Sequence, residues 1–201
     1  MNKKITSVVL LLSMGMVSGF AETKSTLMNG EKLPFYVYRD YKAKDNHFTP
    51  SGWMGDYQDL KVNDHWAEGS QPGEKSIRID YVAKGSQGNG WTGIYWQNPP
   101  NNWGDKQGGY NLNGAQKVLF MAKGEKGDET VEFKMGGIGG AFSDSASATT
   151  GPIKLTKSWK VYSIPLDGLE LSSISGGFCW TATKADNPNG LTLYVDNIRY
   201  E

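Results

Sequence analysis

Apolar residues recur at every second position along most of this chain, and a period of two predicts strands rather than helices. In 76–83, Ile77, Ile79 and Tyr81 share one face while Arg78 and Asp80 take the other. In 129–135, Val131, Phe133 and Met135 face inward and Glu132 and Lys134 outward. Residues 117–122 form a nearly continuous apolar run, as expected of a central strand covered on both faces. Further strands are expected over 33–38, 91–97, 153–155, 160–166, 174–183 and 191–200. That makes about nine or ten strands and no helix of normal length. Many short antiparallel strands are accommodated most economically as an all-β, two-sheet antiparallel sandwich.

Punctuation supports this reading. The 26 glycines favour turns, and Gly124–Gly127 reads as a hairpin turn. In the last strand, Leu191, Leu193 and Val195 share one parity and Ile198 and Tyr200 the other. A bulge near Asp196-Asn197 would return both sets to the core and take Asp196 out of the alternation. Two stretches break the pattern: 39–66, irregular and rich in Asp and Asn, and 136–151, rich in Gly, Ser and Thr. Both are expected to be loops, and the second is no phosphate-binding loop because the G-x-x-x-x-G-K-[ST] spacing is absent.

Residues 1–21 read as a secretory signal. Lys3 and Lys4 precede an apolar stretch over 5–17, and Gly19-Phe20-Ala21 gives the small-x-small pattern before a cut. The apolar stretch is too short to span a bilayer comfortably, so the expectation is a secreted or periplasmic protein with no membrane span after cleavage. A loose lead-in over 22–32 and a single domain over 33–201 follow. Lys+Arg and Asp+Glu both number 21 and no basic run occurs, which argues against nucleic acid or an anionic membrane as partner. Cys179 is the single cysteine, so no internal disulfide forms, and its apolar neighbours predict a buried thiol.

The chemistry concentrates in Trp91–Tyr110, WTGIYWQNPPNNWGDKQGGY. Its first part suits a strand, and Pro99-Pro100 then forces the chain into a stiff loop loaded with rings and amides. A sugar would match such a loop: its C–H face packs on an aromatic plane and its hydroxyls bond to amides. Trp53, Trp103 and Tyr110, flanked by Gly or Asn, are the expected platforms. Gln97, Asn101 and Asn102 are the expected hydrogen-bonding groups, since an amide both donates and accepts. Their neutrality points to a neutral glycan. Trp91, Trp96, Phe120, Phe133, Phe178 and Trp180 lie in strand patterns and are assigned to the core.

The oxygen-rich stretch 40–56 also suggests a hard cation, most readily Ca²⁺, with Asp40, Asn46, Asp56 and the off-register Asp196 as ligands. Zinc is disfavoured, because only two His and one Cys exist. No catalytic constellation stands out: there is no E-x-D-x-x-E, H-E-x-x-H or G-x-S-x-G spacing. A lyase site assembled from Tyr, His and Arg on distant strands stays open.

The long Asp/Asn stretch after the first strand, GIYWQNPPNNWG at 93–104, GGFCW at 176–180 and LYVDNIRYE at 193–201 together resemble the galactose-binding-like jelly roll. That fold is used by non-catalytic carbohydrate-binding modules accompanying bacterial polysaccharide-degrading enzymes. The resemblance covers nearly all of the expected mature chain. It implies glycan binding, and a structural calcium joining the segment after the first strand to a carboxylate on the last, where Asp40 and Asp196 stand. It departs from the family's pattern in that no catalytic domain accompanies the module in this sequence. The expectation is therefore an exported, non-catalytic glycan binder. An envelope structural or protein-interaction domain is the alternative, and a hydrolase or lyase a third.

Overall fold

A computed structural model describes residues 26–71 and 73–201. The expected signal sequence lies outside the described residues. The described residues form eleven strands: β1 (Phe35–Tyr38), β2 (Thr49–Gly55), β3 (Leu60–Trp66), β4 (Ser76–Tyr81), β5 (Trp91–Gln97), β6 (Lys117–Gly124), β7 (Thr130–Gly136), β8 (Ser147–Lys154), β9 (Lys160–Pro165), β10 (Gly176–Thr183) and β11 (Leu191–Tyr200). The one helical piece among the described residues is a single 3-10 turn at Tyr57–Asp59.

All pairings are antiparallel and sort into two sheets. The first has the order β3-β4-β11-β6-β9, with β1 added against the end of β11. The second has the order β2-β5-β10-β7-β8. The expected all-β sandwich is what the chain forms. β11 is its longest strand: its first half pairs with β4 (Val195 opposite Ile77) and its second with β1 (Tyr200 opposite Phe35). The register against β6 slips between Asp196 and Arg199, with Asn197 at φ 51°, so the bulge expected from the parity change is present. It keeps Leu193, Val195, Ile198 and Tyr200 all buried.

Alternate residues of both sheets fill the space between them, as pleating requires. Phe120 of the first sheet meets Phe133 and Phe178 of the second, with ring centroids 4.6 and 5.0 Å apart. Trp96 packs edge-on against Phe178 at 5.6 Å. Of the lead-in, residues 26–32 form a small turn closed by a Thr26–Lys32 bridge, with Leu27 in the core.

Three expectations need correction. The stretch 39–66 is not one loop: it contains β2 and β3, both pairing at sheet edges. The 136–151 loop is shorter, because β8 begins at Ser147. Gly124–Gly127 is no hairpin turn, since β6 and β7 belong to different sheets and the turn carries the chain across the sandwich.

Asp56, just before the 3-10 turn, is completely buried. Its carboxylate accepts the amides of Gln87 (3.0 Å), Asn89 (2.9 Å) and Gly90 (2.8 Å) and so shapes the turn between β4 and β5. These bonds, that from Asn89 foremost, hold its pKa below the ordinary 3.8. A carboxylate with a lowered folded pKa contributes stability that is present above its unfolded value and lost as pH falls through the folded one. Asp56→Ala should therefore lower the melting temperature at neutral pH. It should also flatten the fall in melting temperature below about pH 4, where the unfolded carboxylate titrates. Calorimetry of both proteins across that range reads both effects.

Candidate functional site

Register decides which side chains of the second sheet face solvent. Across all five strands one row runs Gly52, Tyr95, Cys179, Lys134, Thr149. The next runs Met54, Gly93, Thr181, Glu132, Pro152. Both rows lie on the outer face, because the intervening Ile94, Trp180 and Phe133 are buried in the core. Trp91 has the parity of Gly93 and Tyr95 and is 37% exposed, so it joins this outer face and not the core to which its strand pattern assigned it. Trp91 and Tyr95 stand four residues apart on one strand, a separation of about 13 Å at the rise of a β-strand.

Between them Gly93 leaves a gap. A Cβ there would come within 2.6 Å of the Trp180 carbonyl and 2.8 Å of the Thr181 methyl. Strand β5 therefore lies close to β10, and the outer surface is low at this point. At the far end, Trp103 stands edge-on to Tyr95 with centroids 6.1 Å apart. The Trp103 ring is 45% exposed, as is Phe142, whose amide donates to the Gly104 carbonyl at 2.9 Å. The Tyr95 hydroxyl donates to the Gly136 carbonyl at 2.9 Å, and burial raises its pKa so that it stays protonated. Beside the rings lies a polar group: Lys134 pairs with Glu132 at 3.3 Å, and Thr149 donates to Glu132 at 2.6 Å. The result is a strip of rings and neutral-in-sum polar groups on one sheet face.

The predicted platform residues separate in space. Trp103 belongs to the strip. Trp53 is 41% exposed, but it lies opposite Ile94 and so has the inward parity of an edge strand; its neighbour Met54 is the one on the outer face. Tyr110 is partly buried among Phe35, His47 and Phe48, at centroid distances of 5.0, 5.6 and 5.2 Å. Its hydroxyl is bonded within the protein, to Asn98 at 3.1 Å and His47 at 3.3 Å.

The amides are mostly bracing. Gln97 is fully buried, accepting from Ser51 at 2.9 Å and donating to the Asn102 carbonyl at 2.8 Å. Asn102 is also fully buried: it donates to Lys106 O at 3.0 Å and accepts from the amides of Gly104 (3.0 Å) and Lys106 (3.2 Å). Asn101 alone of the three is exposed, at φ 56° on the loop surface. Asp144 ties Ile138 (3.0 Å) and Gly176 (3.3 Å) together beside Trp103's loop, and burial raises its pKa. Sequence reasoning missed Trp91, Tyr95, Glu132, Lys134 and Thr149. The parity of 91, 93 and 95 against 94 and 96 was the signal that could have found Trp91 and Tyr95.

Of the proposed metal ligands, Asp40 and Asp196 hold the same segment. Asp40 accepts the amides of Tyr41 (2.7 Å) and Lys75 (2.9 Å), and Asp196 those of Ser70 (2.6 Å) and Asn197 (2.8 Å). Glu74 lies in that 69–75 segment with its Oε2 buried and without a partner. Burial pushes the Asp196 carboxyl up to about 6, and the charge of Glu74 adds to the push. Asn46 braces the loop by accepting from Arg39 N (2.8 Å) and donating to Asp40 O (2.9 Å). Asp56 is not with them: its partners lie in the turn after β4, whereas 69–75 precedes β4. Among the described residues no three His, Cys, Asp or Glu side chains converge as a ready-made metal site. An oxygen-only set with one orphaned carboxylate oxygen still suits a hard cation, which completes its shell with carbonyls and water.

No family model and no curated protein matches the chain. Solved structures do. A family 30 carbohydrate-binding module aligns with a TM-score of 0.56 at 15% identity, over 84% of this chain and 98% of that one. The chain has the jelly-roll sandwich fold of these modules. The family 30 module of a cellulosomal cellulase of Clostridium thermocellum aligns at 0.54 and 15%, over 84% and 97%. A family 11 module of a cellulosomal cellulase from the same organism aligns at 0.52 and 16%, over 81% and 91%.

The geometry separates ring presentation from loop bracing. Trp103→Ala should change stability by no more than about 0.5 kcal/mol, as for other exposed substitutions. Asn102→Ala strands buried amides and should cost about 1–3 kcal/mol. Urea unfolding of the two variants measures the split.

Proposed function

We propose that this chain is an exported, non-catalytic carbohydrate-binding protein that takes a neutral glycan along the outer face of its second sheet. The observation that carries the reading is the strip itself: Trp91, Tyr95 and Trp103 on one sheet face, with Gly93 low between them and a polar Glu132–Lys134–Thr149 group alongside. Exposed rings in one strip are surplus to the core and call for a ligand. The ion pair leaves the strip without net charge, which favours an uncharged polymer. The likeness to carbohydrate-binding modules of cellulases supports the same reading by analogy of fold, so neutral plant polysaccharides are the first probes. The protein recovered from the producing cell's envelope or medium should begin at Glu22. It should be retarded in gels containing hydroxyethylcellulose, xyloglucan or galactomannan, without releasing reducing ends. Trp91→Ala and Trp103→Ala should each weaken the retarding interaction by tenfold or more, since a few aromatic anchors dominate such interfaces. Retention that survives the double variant would sink the site. A pull-down of an envelope protein by a chain that ignores every polysaccharide would favour the interaction-domain reading instead.

The same reading includes a structural calcium between Asp40 and Asp196, with backbone carbonyls and water completing the shell. Calcium there would stabilise the charged Asp196 carboxylate, which burial otherwise disfavours. A cation bound only by the folded state raises its stability by mass action. Chelation should therefore lower the melting temperature, added Ca²⁺ should restore it, and Asp196→Asn should abolish that response. An unchanged melting temperature with no metal by elemental analysis would remove calcium from the proposal.

A further inference from the structure

On the outer face of the second sheet, Met54 of β2 stands opposite Gly93 of β5. Gly52, the preceding outer position of β2, brings no side chain, so Met54 is what this strand adds to the middle of the strip. A Cβ at Gly93 would meet the Met54 Cε at 3.1 Å and the Thr181 methyl at 2.8 Å. The thioether therefore turns from β2 over β5 and ends above Gly93, beside a methyl that comes from β10 on the other side. Met54 and Thr181 are both partly buried there. Trp91 and Tyr95 flank the same point, one on each side of Gly93 along β5. The low place between the two rings thus has a floor of two methyl groups over bare backbone.

The parts of this floor differ in stiffness. Tyr95 is tied by its hydroxyl to the Gly136 carbonyl at 2.9 Å and abuts Trp103 edge-on. The Thr181 methyl is fixed by its branched Cβ. Met54 is unbranched, with three rotatable bonds and a polarizable sulfur, so it fills a gap and repacks at little cost. Gly93 beneath it has no side chain to hold it in one place. The strip is therefore a rigid frame with one adaptable contact at its centre. Surfaces that accept several partners use flexible methionines in this way.

We infer that Met54 sets the specificity of the strip: it bears on the bound sugar between Trp91 and Tyr95, and by repacking it admits neutral glycans of both hexose and pentose backbone. The two differ by the hydroxymethyl group that each hexopyranose ring carries and a pentopyranose lacks. With a hexose chain the thioether folds aside and leaves the hollow over Gly93 to that group. With a pentose chain it stays in the hollow and keeps apolar contact with the ring. The choice of a sugar rests on the glycan-binding reading; the position of Met54 over Gly93 does not.

The test follows the methionine methyl resonances of the full chain, labelled with ¹³C, during titration with short gluco-, manno- and xylo-oligosaccharides. The Met54 signal is identified by its loss in Met54→Leu. The expected result is a saturable shift of that signal with hexose and pentose chains alike, while Met28 in the lead-in and Met121 in the first sheet stay unmoved. The wild-type affinities for gluco- and xylo-chains should lie within about tenfold of each other. Met54→Ile keeps the apolar bulk but is stiff at its branched Cβ. It should part the two affinities by about tenfold more, the discrimination that a methylene-sized difference in an apolar contact supports. The inference is overturned if no retained chain moves the Met54 signal, or if the wild type takes only one kind of backbone. A Met54→Ile protein with a lower melting temperature and both affinities unchanged would mark the residue as packing alone, and would overturn it too. Polymer retention with a silent Met54 overturns this inference and spares the strip. A chain that retains no polymer, with Met54 and the indoles of Trp91 and Trp103 all unmoved, removes both.

Discussion

The first sheet depends on one strand serving three partners. β11 must pair with β6 along one side and with β4 and then β1 along the other. A regular ten-residue strand with this sequence would turn half of its large apolar residues to the wrong face. The bulge at Asp196-Asn197 resets the parity, at the expense of a left-handed residue and a carboxylate removed from water. That carboxylate then becomes useful as an anchor. It takes the Ser70 amide, while Asp40 takes that of Lys75, and the segment between them is fastened at both ends. The same loop that carries Asp40 carries Tyr41 and Lys42 to a cavity of about 300 Å³ at the sandwich edge, which Phe48 and Trp96 also line.

How much of this is legible in the sequence depends on how local the cause is. Parity is local, so Ile77, Ile79 and Tyr81 in β4, Val131, Phe133 and Met135 in β7, and the break in β11 are all readable from residue order alone. Pairing is not local. Nothing near Gly124–Gly127 says that β6 and β7 belong to different sheets. Edge strands β2 and β8 hide because TPSGWMG and SATTGPIK hold few of the β-branched and apolar residues that usually mark a strand; partners hold them in place instead. At the site, Trp103 was readable as a ring on a stiff loop. Trp91 is not, because a residue in a strand pattern reads as buried unless its parity is set against its neighbours'. Trp91 and Trp96 are five residues apart and have opposite parity, so one face of the sheet could never have buried both.

The amides mark a different boundary. Gln97 and Asn102 look like ligand-binding groups in sequence because they sit beside rings in a polar loop. Three-dimensionally they are consumed: each buried amide bonds to the backbone or to a serine of its own surroundings. Their work is to hold the loop rigid under Trp103. A ring presented on a braced loop loses little conformational freedom when a partner arrives, which lowers the entropic cost of association. The second sheet thus spends hydrogen bonds on holding its loops and leaves the rings as the exposed surface.

Cys179 sits in the middle of this face, between Tyr95 and Lys134 in the register, and yet is wholly inaccessible. Burial holds its thiol far above its ordinary pKa, so almost no thiolate forms at neutral pH. In an oxidising surrounding an unpaired cysteine is a hazard, open to cross-linking with other chains and to irreversible oxidation. Here the packing that closes the sulfur to solvent also keeps oxidants from it. The chemical fate of the single thiol is therefore tied to the integrity of that surface: while the second sheet stays closed it is silent, and an opening that uncovers the sulfur would expose it to disulfide exchange.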